Sequence, residues 1–190
     1  MNIIYYLVGG SLLLWLLTRQ AKTRIPCPLP EVIQWLNLAE SMSQKHYQVY
    51  QRSVTAEILA IIHDQSLGNA EQLYYQDGWK PRYGLCGVPL KDWAQRFDSN
   101  LKTKDLMKPE KNIELALKTI TYADTQIIAA YKRRGQYGPF PLASLSANAY
   151  SAYVHSPTMV ITDANDPNIH NSDTINRYSS LVSCYRKVVN

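Results

Sequence analysis

The sequence predicts an all-α, or nearly all-α, protein with one folded domain. In several segments apolar residues recur at intervals of three and four, as they do on the buried face of a helix. We find no run in which apolar and polar residues alternate over the length of a strand. With 190 residues, the chain has room for one hydrophobic core between an apolar N-terminus and a polar C-terminal tail.

The composition indicates a globular protein with a basic surface. Hydrophobic residues make up 46% of the chain and charged residues 18%, and the formal net charge is +5. Such a protein is attracted to polyanions, among them nucleic acid, anionic lipid and the bacterial cell wall. The 14 tyrosines and four tryptophans outnumber the two phenylalanines. Aromatic faces with a polar group suit carbohydrate, although buried structural tyrosines are the commoner use.

Residues 1–24 predict a transmembrane anchor with a basic flank. The run from Ile3 to Leu17 has no charge and lies at the short end of the ~17–25 residues that span a bilayer. A cleaved signal peptide is the alternative, but no Lys or Arg precedes the run and no small-x-small cleavage motif follows it. Three cations come directly after the run: Arg19, Lys22 and Arg24. Their position predicts that the rest of the chain lies on the cytoplasmic side.

Residues 25–52 predict a proline-rich spacer and a helix that packs on the domain. Prolines at positions 26, 28 and 30 remove amide donors and favour extended backbone in the residues before them. From Glu31 to about Tyr50 the apolar positions follow a helical stripe, and a proline suits the first turn of a helix.

The central prediction is an apolar helix from Val54 to about Ser66. Ser53 is a suitable N-cap, and Gly68 is a natural stop because glycine adopts the left-handed conformation that ends many helices. The apolar positions recur at helical spacing: Val54, Ile58, Leu59, Ile61 and Ile62. We expect the polar pair at the end of this helix, Gln65 and Ser66, to face a functional space.

The rest of the chain predicts loops and four further helices. Residues 71–82 have the composition of a loop with exposed aromatic side chains, and residues 83–89 form a glycine-bearing turn. Helices are predicted over residues 90–97, 106–120, 126–131 and 145–154. Asp, Asn, Ser and Pro then dominate, so residues 53–160 are predicted as the domain and residues 161–190 as a polar, surface-running tail with a short final element.

Neither a metal nor a cofactor is expected. Cys27, Cys86 and Cys184 have no zinc-site or disulfide-framework spacing, although one pair could oxidise in an extracytoplasmic compartment. His63 and His155 each lack a second ligand one helical turn away, which favours ordinary histidines. The sequence also shows no phosphate-binding glycine loop and no nucleophile–His–acid order.

A series of motifs follows the central helix in a fixed order. The helix ends in Gln65-Ser66, and the later motifs are YGL at residues 83–85, DLMKPEKNI at 105–113, AAY at 129–131 and AYSAYV at 149–154. This order resembles the soluble lytic transglycosylase family, relatives of goose-type lysozyme. That family has a helix ending in Glu-Ser, a Gly-Leu-Met-Gln turn, an Asp-Leu-x-x-Pro-x-x-Asn-Ile helix start, an Ala-Ala-Tyr-Asn segment and a late Tyr-Val. The resemblance covers about residues 54–154.

The resemblance implies a helical domain of the α+β lysozyme-like superfamily with a groove for the GlcNAc–MurNAc polymer. In that family the glutamate of the first motif protonates the β-1,4 glycosidic oxygen, and the MurNAc 6-hydroxyl then closes a 1,6-anhydro ring. Gln65 occupies the position of this catalytic glutamate. An amide donates hydrogen bonds but cannot deliver a proton to a leaving alkoxide. As written, Gln65 is expected to bind sugar without cutting it.

Three explanations of Gln65 remain open. The substitution is an engineered trap for substrate, the chain is a natural pseudo-enzyme, or another carboxylate supplies the proton. Asp64 is expected to face elsewhere, because consecutive helical residues are about 100° apart, and Glu57 is roughly 12 Å away along the axis. Glu71 follows in the loop, where an exposed carboxylate is the simpler interpretation.

The resemblance also implies substrate-binding residues beside Gln65. These are Ser66, Gly84, Leu85, Cys86, Tyr131 and Tyr153. Tyr131 is implied to lie near the catalytic carboxyl and to hydrogen-bond it, with a core tyrosine as the alternative. The alternatives are a polar residue at the helix end for Ser66, a glycine that serves only the turn for Gly84, and a core tyrosine for Tyr153. Three of the later positions depart from the family pattern: Cys86-Gly87 replaces Met-Gln, and Lys132 replaces the Asn after Ala-Ala-Tyr.

Together these features predict a membrane-anchored peptidoglycan lytic transglycosylase, acting locally in a phage particle or an envelope-spanning machine. Its expected partners are peptidoglycan glycan strands and, through the N-terminal helix, the virion or bacterial inner membrane. Nucleic acid is not expected. The alternative is a non-catalytic peptidoglycan-binding or assembly protein with the same fold.

Overall fold

A computed structural model describes residues 26–75, 81–136, 145–156 and 161–190. Over these residues the protein is mainly helical with one small antiparallel sheet, which confirms the predicted helical class. In chain order the helices are α1 Pro30–Ile33, α2 Leu36–Lys45, α3 Tyr47–Tyr50, α4 Thr55–Ser66, a π-helical segment Leu90–Ala94, α5 Gln95–Phe97, α6 Thr103–Leu106, α7 Pro109–Arg133, α8 Ala147–His155 and α9 Ser172–Val189. The strands are β1 Leu73–Tyr75, β2 Pro81–Tyr83 and β3 Val88–Pro89.

The central helix α4 lies in the core, as its sequence predicts. Eleven of its twelve residues are buried, and the buried polar ones near its end, His63, Gln65 and Ser66, form hydrogen bonds inside the protein. It packs against α1, α2 and α9. The predicted stop at Gly68 is confirmed: this glycine has φ +89°, and a Cβ there would lie 2.1 Å from the carbonyl oxygen of Glu31. Glycine therefore allows α1 to approach the end of α4.

The prediction of one helix over residues 31–50 is wrong, because three short helices occupy this stretch. The first break is at Trp35, whose indole nitrogen donates to the carbonyl of Gly68 at 2.9 Å. The second is at His46, where the backbone leaves helical geometry. The segment nevertheless packs on the domain as predicted, since Val32, Met42 and Tyr50 are buried.

Two predicted helices, over 106–120 and 126–131, are a single helix, α7. The residues between them contain neither Gly nor Pro, so nothing in the backbone stops the helix. Asp124 lies in this join and is buried, and its carboxylate accepts a 2.7 Å hydrogen bond from Ser146, the N-cap of α8. The joined helix therefore also positions α8, whose predicted existence is confirmed.

The prediction of a polar tail over residues 161–190 is wrong in its second half. Helix α9 has 18 residues, and Asn171 caps it by accepting from the amide of Thr174 at 3.0 Å. Its buried positions recur at helical spacing: Thr174, Tyr178, Leu181, Val182 and Tyr185. This stripe is part of the hydrophobic core, so the folded unit extends beyond the predicted boundary at residue 160.

Helix α9 is tied to the rest of the domain by covalent and polar contacts. Cys184 forms a disulfide with Cys27 in the proline-rich spacer, which confirms that one cysteine pair can oxidise. On α4, His63 Nδ1 lies 2.8 Å from the Tyr185 hydroxyl, and Glu57 accepts a 3.0 Å hydrogen bond from Arg186. Helices α4 and α9 thus form the framework of the domain.

The small sheet is a departure from the predicted loop. Its order is β1–β2–β3, with Leu73 opposite Tyr83 and Tyr83 opposite Val88. Strands of two and three residues are too short for an alternating pattern to show in the sequence.

The predicted anchor, residues 1–24, lies outside the described residues and stays a prediction. Among the helices that the structure does describe, none is long and apolar enough to cross a membrane.

Candidate functional site

Gln65 lies in the last turn of α4 and is 7% exposed. Its side-chain nitrogen donates to the Tyr150 hydroxyl at 2.6 Å and to Asp64 Oδ2 at 3.1 Å. Its side-chain oxygen accepts from the hydroxyl of Tyr74. Arg177 completes the group by pairing with Asp64 through its Nε, and through Nη2 at 3.2 Å. We call these five residues the Gln65 cluster.

The donor and the acceptor of each hydrogen bond in the Gln65 cluster can be assigned. A carboxylate only accepts, so the Gln65 nitrogen, not its oxygen, must face Asp64. Tyr150 accepts from Gln65 and donates to Asp64, while Tyr74 donates to the Gln65 oxygen. Both amide hydrogens of Gln65 are therefore used inside the protein. The unused capacity of the amide is the second lone pair of its oxygen.

Asp64 does not face away from Gln65 as the sequence predicted. Its side chain is 4% exposed, and its Oδ2 is in hydrogen-bonding distance of the Gln65 amide. The angle of about 100° between consecutive helical residues did not predict this contact, because the long side chain of Gln65 reaches the Asp64 carboxylate. Arg177 and Tyr150 also donate to Asp64. Donors from the cluster therefore engage both oxygens of Asp64.

Both tyrosine hydroxyls of the cluster stay protonated at neutral pH. Burial raises the pKa of Tyr74 to about 12. Burial also raises the pKa of Tyr150 well above its ordinary value, and the neighbouring Asp64 carboxylate adds to the shift. These hydroxyls therefore act as hydrogen-bond donors to the cluster and not as bases.

The glycine turn between β2 and β3 packs directly against Gln65. At Gly87, with φ +60°, an added Cβ would lie 2.6 Å from Gln65 Oε1 and 2.7 Å from the Tyr74 hydroxyl oxygen. At Gly84, with φ +71°, it would lie 2.3 Å from the Leu106 carbonyl oxygen. Both ends of the turn therefore need glycine. Gly87 leaves room for Gln65 and Tyr74, and Gly84 leaves room for the Leu106 carbonyl.

The predicted substrate-binding residues Leu85 and Cys86 are interior residues of this turn. Leu85 is fully buried, and Cys86 is a buried free cysteine. Burial raises the pKa of the Cys86 thiol, so it stays protonated. They shape the turn from within, and Gly87 is the turn residue that contacts Gln65.

Asn112 holds the turn in place. Its Oδ1 accepts from the amide of Cys86 at 2.7 Å, and its Nδ2 donates to the carbonyls of Tyr83 and Leu106, also at 2.7 Å. The side chain is fully buried. The motif at residues 105–113 is therefore joined to the turn motif at residues 83–85 by one amide. In the sequence Asn112 stands out only as a motif residue, and its contacts with the turn could not be predicted from it.

Arg82 was not identified from the sequence and connects the turn to α8. It is buried, and it donates to the carbonyls of Gly87 at 3.1 Å, Tyr153 at 2.9 Å and Val154 at 2.7 Å. Its guanidinium also lies over the Tyr153 ring, 5.2 Å from the centroid. An isolated arginine in an aromatic loop gave no signal for this role.

The tyrosine that contacts Gln65 from α8 is Tyr150. Tyr153, for which the sequence left open a groove residue or a core tyrosine, lies in the core. Tyr153 is fully buried, donates to the Cys86 carbonyl and packs against Trp93 with ring centroids 5.3 Å apart. The sequence motif contains both tyrosines one helical turn apart, which was the available signal. Tyr131 on α7 is partly buried against the core.

Ser66 contributes to the helix end. Its hydroxyl donates to the Ile62 carbonyl at 3.1 Å and accepts from the amide of Gly68 at 3.2 Å. Glu71 is exposed, as the simpler interpretation of that loop carboxylate holds. Within the described ranges, no three His, Cys, Asp or Glu side chains are grouped to hold a metal ion.

Comparison with known proteins adds no relative. No family model matches the chain, and no curated protein or solved structure is significantly similar to it. The resemblance to lytic transglycosylases rests on the order of the sequence motifs.

Proposed function

We propose that the chain binds peptidoglycan glycan strands at the Gln65 cluster on a lytic transglycosylase architecture, and cleaves them only when position 65 carries glutamate. One observation carries the proposal. Four segments, the end of α4, β1, the glycine turn and the distant helix α8, all meet at the side chain of Gln65. Three of these segments belong to the motifs that resemble the family.

The contacts of Gln65 support binding without cleavage. A glycosidic bond breaks when an acid protonates the leaving oxygen, and the amide of Gln65 is not such an acid. Asp64 is paired with Arg177 inside the cluster. Among the described residues, the acceptor sites that receive no hydrogen are the second lone pair of the Gln65 oxygen and the hydroxyl oxygen of Tyr74. They suit the hydroxyl and N-acetyl N–H donors of an amino sugar. This favours the non-catalytic peptidoglycan-binding function for the chain as written.

Zymography and pelleting test the proposal together. We expect the Gln65 protein to sediment with purified peptidoglycan without clearing it, and the Gln65→Glu variant to clear it. Glu114→Gln is the matched control, because it alters a carboxylate that pairs with Lys118 on the outer face of α7. Binding by both forms with no clearing leaves the assembly or binding function alone. Failure of both forms to sediment or clear refutes a peptidoglycan function.

We also propose that residues 1–24 anchor the domain in a membrane that is carried by a particle. The cations after the apolar run predict a cytoplasmic domain, whereas a disulfide such as Cys27–Cys184 forms in an oxidising compartment. Release of a membrane-bearing particle from the cell reconciles the two, since the disulfide then forms after release. Thiol trapping should find Cys27 and Cys184 reduced in cells and bonded in released particles. A bonded pair and a protease-accessible domain in intact spheroplasts would indicate a resident periplasmic protein.

A further inference from the structure

We infer that Asp64, held by Arg177, is the positioning residue of this site: it fixes the side chain at position 65 and keeps a glutamate there protonated. The inference rests on the proposed function, because it assigns a role within the same cluster. Asp64 neither protonates nor contacts the glycan in this role. Its task is to act on the side chain next to it.

The first part follows from the hydrogen bonds of the Gln65 protein. Asp64 Oδ2 accepts from the Gln65 nitrogen at 3.1 Å and so decides which end of the amide faces it. The Gln65 oxygen is thereby turned to Tyr74 and Gly87. Without the carboxylate, the two ends of the amide could exchange places, because tyrosine hydroxyls both donate and accept. Asp64 is the member of the cluster that only accepts.

The second part follows from replacing the nitrogen by oxygen in the Gln65→Glu variant. Glutamate has the shape of glutamine, so one of its oxygens would stand about 3 Å from Asp64 Oδ2. Two ionised carboxylates at this distance repel, and one of them holds its proton to a higher pH. Of the two carboxylates, Asp64 is the one that Arg177 contacts, through both Nε and Nη2. The proton therefore belongs on the introduced glutamate, where it faces the two atoms that accept from the Gln65 nitrogen, Asp64 Oδ2 and the Tyr150 hydroxyl oxygen.

The other groups around position 65 do not reverse this balance. Tyr74 from β1 and Tyr150 from α8 are neutral, and the Tyr150 hydrogen is already directed to Asp64. The hydrogen bond from Tyr74 favours the ionised form of a glutamate at this position, but one neutral donor is weaker than a facing anion.

The arginines near position 65 donate their described hydrogen bonds to groups other than the Gln65 side chain. Arg82 from β2 directs its hydrogen bonds to main-chain carbonyls of Gly87, Tyr153 and Val154. His63 is buried on α4, and burial lowers its pKa, so it is neutral at pH 7. Arg177 is the cation of the cluster, and its described hydrogen bonds go to Asp64. The charged group that directly contacts the side chain at position 65 in these hydrogen bonds is the Asp64 carboxylate.

Titration of the carboxyl carbon tests the inference directly and without glycan. The full chain in detergent micelles carries six glutamates, so Gln65→Glu labelled with ¹³C at the glutamate carboxyl gains one resonance, which belongs to the introduced side chain. We expect its midpoint at least about one pH unit above the ordinary value of about 4.3. In Gln65→Glu with Asp64→Asn, which keeps the side-chain shape, the midpoint should fall by about one pH unit or more.

The control and the contradicting results are distinct from those of the proposed function. Adding Glu114→Gln should leave the midpoint of the introduced glutamate unchanged, because Glu114 pairs with lysines on the surface of α7. The unaltered shifts of the remaining glutamates report that each variant is folded. An ordinary midpoint in Gln65→Glu, or the same midpoint with and without Asp64, refutes the role of Asp64. A raised midpoint in a variant that neither clears nor binds peptidoglycan refutes the proposed function alone.

Discussion

Replacing Gly87 with alanine should damage the site far more than the same change at Gly135. Both glycines have positive φ, +60° and +72°, so both variants bear the cost of alanine in the left-handed region, about 1 kcal/mol. They differ in their surroundings. A Cβ at Gly87 would lie 2.6 Å from Gln65 Oε1 and 2.7 Å from the Tyr74 hydroxyl oxygen, whereas at Gly135 no atom of the described residues lies within 4 Å.

The additional cost at Gly87 comes from the Gln65 cluster. The new methyl group must push Gln65 and Tyr74 apart, which breaks the hydrogen bond between them. A buried hydrogen bond contributes about 1 kcal/mol, and leaving a buried polar group without a partner costs about 1–3 kcal/mol. We therefore expect Gly87→Ala to lower the free energy of unfolding by about 3 kcal/mol, against about 1 kcal/mol for Gly135→Ala.

Urea unfolding of the two variants in the full chain measures this difference, and sedimentation with peptidoglycan gives the functional counterpart. Gly87→Ala should weaken sedimentation while Gly135→Ala should not. Equal losses of stability, within about 0.5 kcal/mol, would contradict the packing of the turn against Gln65.

Three further outcomes are expected from the same structure. Asn112→Ala should cost about 3 kcal/mol or more in urea unfolding, because the buried Cys86 amide and two carbonyls lose their partner; a loss below about 1 kcal/mol would show that the turn holds without it. Reduction of the Cys27–Cys184 disulfide should lower the free energy of unfolding by roughly 2–5 kcal/mol, because the disulfide closes most of the chain into one loop. Identical urea unfolding curves with and without dithiothreitol would contradict this stabilisation. Stability should also fall as pH rises from about 10 to about 12, because the unfolded chain loses the Tyr74 proton at pH about 10 while burial raises the pKa of this tyrosine to about 12 in the folded protein. Tyr74→Phe should make this alkaline loss smaller, and an unchanged pH dependence in that variant would contradict the raised pKa.

The parts of the fold that the sequence predicted are those with strong local signals. Helix α4 combines a long apolar repeat with the Gly68 stop, and both survive in the structure because the helix is buried on nearly every face. Helix α9 was missed since Asp, Asn and Ser surround its stripe of Tyr178, Leu181 and Tyr185. Polar composition concealed a periodicity of three and four that was present in the sequence.

The sequence indicated Gln65 and the glycine turn as parts of the candidate site but not the residues that surround Gln65. Gln65 and the glycine turn follow from motif order, and Gly87 confirms that the two meet. The contacts of Asp64, Tyr150 and Arg177 could not be read from the sequence, because they depend on how α4, α8 and α9 are placed relative to one another. Side chains that meet across helices leave no local pattern.

Product analysis of digested peptidoglycan tests most directly the claim that position 65 decides between binding and cleavage. Purified peptidoglycan incubated with the Gln65→Glu variant should release muropeptides that end in 1,6-anhydro-MurNAc, detected by mass spectrometry as lighter by one water than hydrolysed products. The Gln65 protein should release none while still sedimenting with the polymer. Release of ordinary reducing ends, or equal release by both forms, would contradict this account.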